Sequence, residues 1–183
     1  QVLGLKHNGT GKSVYRFYRN EGIVDGLPVF KDVSAEVGVQ SEGWGLGIVV
    51  NDINGDGYPD LYCANDFMSN DHLYINTGDG KFVNQIRSMT KHQEQNGMGI
   101  DIADINNDGL NDIVVLDMLP DDNLRQKTMF SNIAYNSFKL FREKGYEYQF
   151  IRNVLQVNNG NNTFSDIGFY SGIYATDWSW SSL

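Results

Sequence analysis

A single cysteine, Cys63, excludes any disulfide within the chain. Three prolines leave little material for rigid linkers, whereas 20 glycines call for many tight turns. No apolar run approaches the roughly 18 residues of a membrane-spanning helix. Positive charge is scarce. Fourteen Lys and Arg against 23 Asp and Glu give a formal net charge of −9, which argues against nucleic acid or an anionic membrane surface as the main partner. Catalytic signatures are also missing: His7, His72 and His92 stand outside any nucleophile or zinc motif. Cys63 lies in Leu61-Tyr62-Cys63-Ala64, which reads as a buried strand with the cysteine as a small inert hydrophobe. No catalytic residue and no organic cofactor are assigned.

What is present is a folded composition, 40% hydrophobic and 13% aromatic, and a chain that repeats itself. Gly43-Trp44-Gly45-Leu46-Gly47-Ile48 returns as Gly97-Met98-Gly99-Ile100-Asp101-Ile102. Asn51-Asp52-Ile53-Asn54-Gly55-Asp56-Gly57 returns as Ala103-Asp104-Ile105-Asn106-Asn107-Asp108-Gly109, 52 residues later. A second element occurs three times, as Phe17-Tyr18-Arg19-Asn20, Leu73-Tyr74-Ile75-Asn76 and Leu155-Gln156-Val157-Asn158, each read as a short strand followed by a turn. Glycine turns at Gly78-Asp79-Gly80 and Gly160-Asn161-Asn162 then lead into Phe82 and Phe164. The unit is strand, acidic loop, strand, strand, glycine turn, strand. The second copy is longer by about 30 residues, within about 119–151. Asp121 and Asp122 suit a helix start there, and Tyr135, Phe138, Leu140 and Phe141 have helical spacing before Gly145, so one or two helices packed on their own domain are expected.

The acidic loops carry the chemistry. Asp52, Asn54, Asp56 and Asp60 place oxygen side chains at positions 1, 3, 5 and 9 of a loop bent at Gly57, and Tyr58 offers its backbone carbonyl at position 7. Asp104, Asn106, Asp108, Leu110 and Asp112 repeat the arrangement around Gly109. Calcium takes several hard oxygen ligands in a flexible shell, and a divalent cation offsets the repulsion among three close aspartates. One such match arises by chance at roughly one in a million positions. Two in register predict two Ca2+ sites. An EF-hand is excluded, since position 12 is Cys63 in one loop and Val115 in the other and the flanks are strand-like. The all-oxygen set disfavours zinc, and magnesium demands a stricter octahedron.

These residues resemble the FG-GAP or VCBS repeat of integrin α-subunit propellers and many bacterial surface proteins. Phe30-Lys31-Asp32-Val33 through Val39, and Thr176-Asp177-Trp178-Ser179-Trp180, are particularly similar to the bacterial ASPIC/UnbV, cartilage-acidic-protein-like group. The resemblance implies an all-β fold of β-propeller blades, about two to three of them and each four-stranded, with a short helical insertion in the second full blade. Residues 1–42 would end one blade, 43–96 form a blade with loop 52–60, 97–175 form a blade with loop 104–112 and the insertion, and 176–183 start the next. Both ends cut a unit in the middle, which reads as part of a longer protein. Trp44, Trp178 and Trp180 are of a type that stacks on sugars, but the match of Trp44 and Trp178 to Met98 in the repeat favours packing within the blades. The resemblance also implies export to the extracellular or outer-membrane surface, and a calcium-stabilised scaffold for binding or adhesion to a protein or glycan. The alternatives are the propeller module of a secreted polysaccharide- or lipid-degrading enzyme, or a subunit of an outer-membrane assembly.

Overall fold

The computed structural model describes residues 11, 13–129 and 135–182. His7, part of the 1–42 span, the middle of the insertion and the last residue lie outside the described residues. A first hairpin joins β1 (Tyr18–Val24) to β2 (Leu27–Asp32). Its turn lies at Asp25-Gly26, both at positive φ, and not after Asn20 as the repeat suggests; the strand passes Asn20 through a bulge before Gly22. An Asp-Gly pair suits the two left-handed positions of a tight hairpin better than Arg19-Asn20 does. One helical turn, α1 (Ser34–Val37), follows.

The first full sheet contains β3 (Gly45–Asn51), β4 (Asp60–Asn65), β5 (His72–Asn76) and β6 (Phe82–Asn84), antiparallel and in chain order. A single turn, α2 (Ile86–Met89), and the two-residue β7 (Gln93–Glu94) lead to the second sheet. That sheet contains β8 (Gly99–Ala103) and β9 (Asp112–Leu116), then, beyond the insertion, β11 (Val154–Asn158) and β12 (Phe164–Asp166). The insertion holds α3 (Asn123–Met129), α4 (Tyr135–Glu143) and β10 (Gln149–Phe150), the last paired in parallel with β7. A final turn, α5 (Gly168–Ser171), precedes the second tryptophan-rich segment. Both four-stranded antiparallel sheets are therefore propeller-like blades, as expected. No helix among the described residues is long and apolar enough to cross a membrane.

Strand β4 is buried on both faces, and its period-two alternation decides what it joins. Tyr62 and Ala64 enter the core between the sheets with Leu73, Ile113, Val115, Val154 and Phe164. Leu61 and Cys63 face the other way, against Val33, Val37 and Val39. The repeated glycines of β3 and β8 have a packing reason. A Cβ on Gly45 would collide with the Tyr15 hydroxyl, and one on its match Gly99 would lie 2.6 Å from the Trp180 carbonyl oxygen. One on Gly47 would lie 2.8 Å from Ile100 Cγ2, so glycine lets neighbouring chain segments approach.

In the insertion, Asp122 starts α3 as expected: its Oδ1 accepts the Arg125 N–H at 2.8 Å. On α4 the aromatic stripe divides. Phe138 stacks on Tyr148 and Phe150, and Phe141 meets Tyr146 edge-on, while Tyr135 and Leu140 remain exposed. The tryptophans depart from expectation. Met98 is buried, but Trp44, Trp178 and Trp180 are exposed, Trp44 touching Phe67 edge-on. Strands β3 and β8 both lie at a sheet edge, with the chain at Trp180 and Ser181 beside Met98 and Gly99.

Candidate metal centre

Each acidic loop joins the first two strands of its sheet, and each is shaped by carboxylates that accept backbone N–H groups. In the first, Asp52 Oδ1 accepts from Gly55 (2.9 Å) and Asp56 (3.0 Å), and Oδ2 accepts from Gly57 (2.8 Å). Asn54 Oδ1 accepts from Asp56 at 3.1 Å, and Asp56 Oδ1 accepts from Tyr58 at 2.9 Å. Asp60 is fully buried at the start of β4. Its Oδ2 accepts the Ile53 N–H (3.0 Å) and its Oδ1 accepts that of Asn76 on β5 (2.8 Å), so one carboxylate clasps the loop to two strands. Burial pushes the Asp60 carboxyl up, against the pull of those backbone donors.

The second loop reproduces all of these bonds but the one from Gly55. Asp104 accepts from Asp108 (3.0 Å) and Gly109 (2.9 Å), Asn106 accepts from Asp108 (2.9 Å), and Asp108 accepts from Leu110 (2.9 Å). Asp112, also fully buried, accepts from Ile105 (3.2 Å) and from Asn158 on β11 (2.9 Å). The bend glycines Gly57 and Gly109 sit at φ 88° and 86°.

The donor chemistry fits a hard cation. Every side chain at positions 1, 3, 5 and 9 carries oxygen, and an oxygen that accepts one backbone hydrogen bond keeps a second lone pair. The side chains are not, however, drawn into a ligand cluster. Asn54 Nδ2 donates to Asp56 Oδ2 and Asn106 Nδ2 to Asp108 Oδ2, both at 2.9 Å. Among the described residues no group of three His, Cys, Asp or Glu side chains is gathered to hold a metal ion. In this arrangement the loops hold their bend as Asx turns.

Three asparagines tie the two loops together and a fourth acts within the first sheet, and the acidic-loop motif did not single them out. Asn158 Nδ2 donates to the Ile53 carbonyl (3.3 Å) and to that of Asn111 (3.2 Å). Asn111 Nδ2 donates to Asn51 Oδ1 (3.1 Å) and to the Asp52 carbonyl (2.8 Å), and Asn51 Nδ2 to the Ile102 carbonyl (3.3 Å). The fourth, Asn76, donates to the Pro59 carbonyl at 3.1 Å. Asn76 and Asn158 end the twice-repeated strand element, so a signal for them existed in the repeat.

The histidines serve packing. His72 is buried, with Nε2 3.2 Å from the Glu42 carbonyl oxygen and Nδ1 3.0 Å from Asn84 Nδ2. His92 Nε2 lies 2.8 Å from both Asp166 Oδ2 and Arg152 Nη2, in a cluster that fastens the crossover to the second sheet. Cys63 is buried, and burial pushes its thiol up to about 12.

The family described as FG-GAP-like repeat matches residues 52–115. Human cartilage acidic protein 1 is 38% identical over 90 residues, which is 49% of this chain and 14% of that protein. The Xenopus tropicalis protein of the same name is 40% identical over 91 residues, and the mouse protein 37% over 90, with the same shares. The chain thus spans 14% of the length of the curated relatives it matches. The chain carries an FG-GAP-like repeat across its two acidic loops and is homologous over half of its length to cartilage acidic protein 1.

Proposed function

We propose that the chain is a calcium-stabilised segment of a β-propeller scaffold in an exported surface protein, and that its work is to present a surface to a protein or glycan partner. The observation that carries this is the duplication of one side-chain-to-backbone network at one place in two successive sheets. Asp52, Asn54, Asp56 and Asp60, with the Tyr58 carbonyl, would hold the first Ca2+. Asp104, Asn106, Asp108 and Asp112, with the Leu110 carbonyl, would hold the second. The ion supplies charge compensation for the loop carboxylates, and the clasps at Asp60 and Asp112 transmit that anchoring to β5 and β11. Residues 43–96 and 97–175 act as one blade each. Export supports the reading, because calcium outside cells reaches the millimolar levels that saturate weak sites.

The test is thermal unfolding in EGTA and in millimolar calcium. A ligand at 100 times its Kd adds about 2.7 kcal/mol per site, so a rise in melting temperature of several degrees is expected. Asp56→Ala combined with Asp108→Ala should remove most of it. No calcium-dependent shift in the unmodified chain would sink the proposal.

A further inference from the structure

Away from the acidic loops, the seam between the sheets holds three carboxylates without a cation. Asp71, Glu94 and Asp117 are 1%, 2% and 0% exposed, and none of the ion pairs among the described residues includes them. Two of the three are well provided with donors. Asp71 Oδ1 accepts the Asn65 N–H at 2.8 Å and Oδ2 accepts the Tyr62 hydroxyl at 2.7 Å. Asp117 accepts N–H groups of Gln95 (3.0 Å), Asn96 (3.1 Å) and Met118 (2.6 Å), and the Asn96 side-chain amide (3.2 Å). Glu94 is different: neither of its oxygens has a donor.

The seat of Glu94 is tight, since a Cβ on Gly97 would lie 2.7 Å from Glu94 Oε1. An ionised carboxylate there has lost its water and gained nothing in exchange, which is the most costly condition for a buried group. A neutral acid can donate to a neighbouring carboxylate, and Asp71 is held alongside, its N–H donating to Oε1 of the adjacent Gln93 at 2.9 Å. The repeat adds an independent comparison. Asn153 occupies the place of Asp71 in the second sheet, its Oδ1 accepting the Asp117 N–H at 2.7 Å as Asp71 accepts that of Asn65. A neutral amide satisfies the structural duty of the position, so the charge on Asp71 is an addition, and it faces Glu94.

We propose that Glu94 keeps a proton and donates it to the Asp71 carboxylate, making this pair a pH-responsive latch between the two sheets. Its place gives the latch its reach. Asp71 stands directly before β5 of the first sheet, and Glu94 lies on β7, which leads into the second sheet and pairs with β10 at the exit of the insertion. Removing the proton sets two like charges face to face in the interior. Tyr62 and Cys63 on β4 and Asp117 just after β9 act on the pair, and none of these three brings a positive charge. Burial raises Glu94 most, the Asp71 charge, the hydrogen bond to Asp71 and the Asp117 charge act in the same direction, and its own backbone N–H acts against them. Because the folded value lies above the unfolded one, stability from this group is complete below the ordinary glutamate range, about 4.3, and is lost as pH rises through the folded value.

The experiment uses the chain in saturating calcium, with glutamate labelled at Cδ with 13C. One resonance, absent from Glu94→Gln, should keep its carboxylic-acid shift at about pH 6, where exposed glutamates are ionised. In Asp71→Asn that resonance should titrate at lower pH, because the like charge is gone. The fall in melting temperature between about pH 5 and pH 8 should be shallower in Glu94→Gln, whose amide donates to Asp71 without titrating. A carboxylate shift for Glu94 at about pH 6 would overturn the proposal, as would parallel melting curves for the chain and Glu94→Gln. A Glu94 resonance that moves with added sodium or calcium, at concentrations beyond loop saturation, would assign the pair to a bound cation and overturn the shared proton.

Discussion

Asn76 and Asn158 hold the same place in their sheets, so replacing each by alanine separates what a sheet needs from what the pair of sheets needs. Both amides donate to the carbonyl before the clasping aspartate, at 3.1 Å to Pro59 for Asn76 and 3.2 Å to Asn111 for Asn158. Both Oδ1 atoms accept a turn-glycine N–H at 3.0 Å, from Gly78 and Gly160. Only Asn158 also crosses to the other sheet, donating to the Ile53 carbonyl at 3.3 Å, and only Asn158 is buried. A hydrogen bond contributes about 1 kcal/mol net, and a buried group left without a partner costs about 1–3 kcal/mol. Asn76→Ala, at a wetter site, should therefore cost about 1 kcal/mol, and Asn158→Ala about 3 kcal/mol. With a urea m-value of about 2 kcal/mol/M, the midpoints should differ by about 1 M at unchanged m. Equal costs, or a larger cost at Asn76, would refute the view that side-chain bonds between the loops carry the inter-sheet coupling.

The cluster of His92, Arg152 and Asp166 predicts an acid limb. Burial pushes the Asp166 carboxyl up, but donors from His92, Arg152 and the backbones of Gly168 and Leu155 outweigh it and hold it well below the usual carboxylate range. A depressed value means stability that is present above the ordinary aspartate range and lost as pH falls through the folded value. Asp166→Ala, which leaves Arg152 buried without its partner, should cost about 3 kcal/mol at pH 7 and flatten stability below about pH 4. Denaturant unfolding across that range is the check. Cys63, buried and with its thiol pushed up to about 12, should resist a thiol reagent at pH 8 in the native chain and react at the rate of unfolding.

Much of this arrangement was legible in the sequence because the repeat supplies internal replicates. The strand order, the two loop bends at Gly57 and Gly109 and the helix start at Asp122 follow from local chemistry that any single copy displays. The single turns α1, α2 and α5 are too short to leave a periodic signal. The parallel pairing of β7 with β10 joins residues 56 apart in sequence, and no alternation in two residues can announce it. The first hairpin misled for a related reason: the matching Arg19-Asn20 suggested a turn that Asp25-Gly26 makes instead. The tryptophans were read from their equivalence to Met98, which is buried beside Trp180 and Ser181, whereas Trp44 meets Phe67 and stays exposed.

The antiparallel order divides the molecule into two ends with different duties. Each acidic loop connects the first strand of a sheet to the second, so both lie at one end, and the Asn111 bonds to Asn51 and Asp52 hold them side by side. The connection from second to third strand lies at the opposite end, and there the copies diverge. In the first sheet it is the short segment from Asp66 to Asp71, with Phe67 exposed at φ 58° beside Trp44. In the second it is the insertion, with its exposed Tyr135 and Leu140 and an ion pair from Arg125 to Asp177. Side-chain-to-backbone bonds at the loop end depend on residue type at fixed offsets, so that end tolerates little change. The other end repeats one such bond, Asn65 N–H to Asp71 and Asp117 N–H to Asn153. The chain between those residues nevertheless differs in length by about 30 residues without disturbing the register of Asn51 with Asp60 or Ala103 with Asp112. The constant end fixes how the sheets join, and the variable end is where one repeat differs in surface from the next.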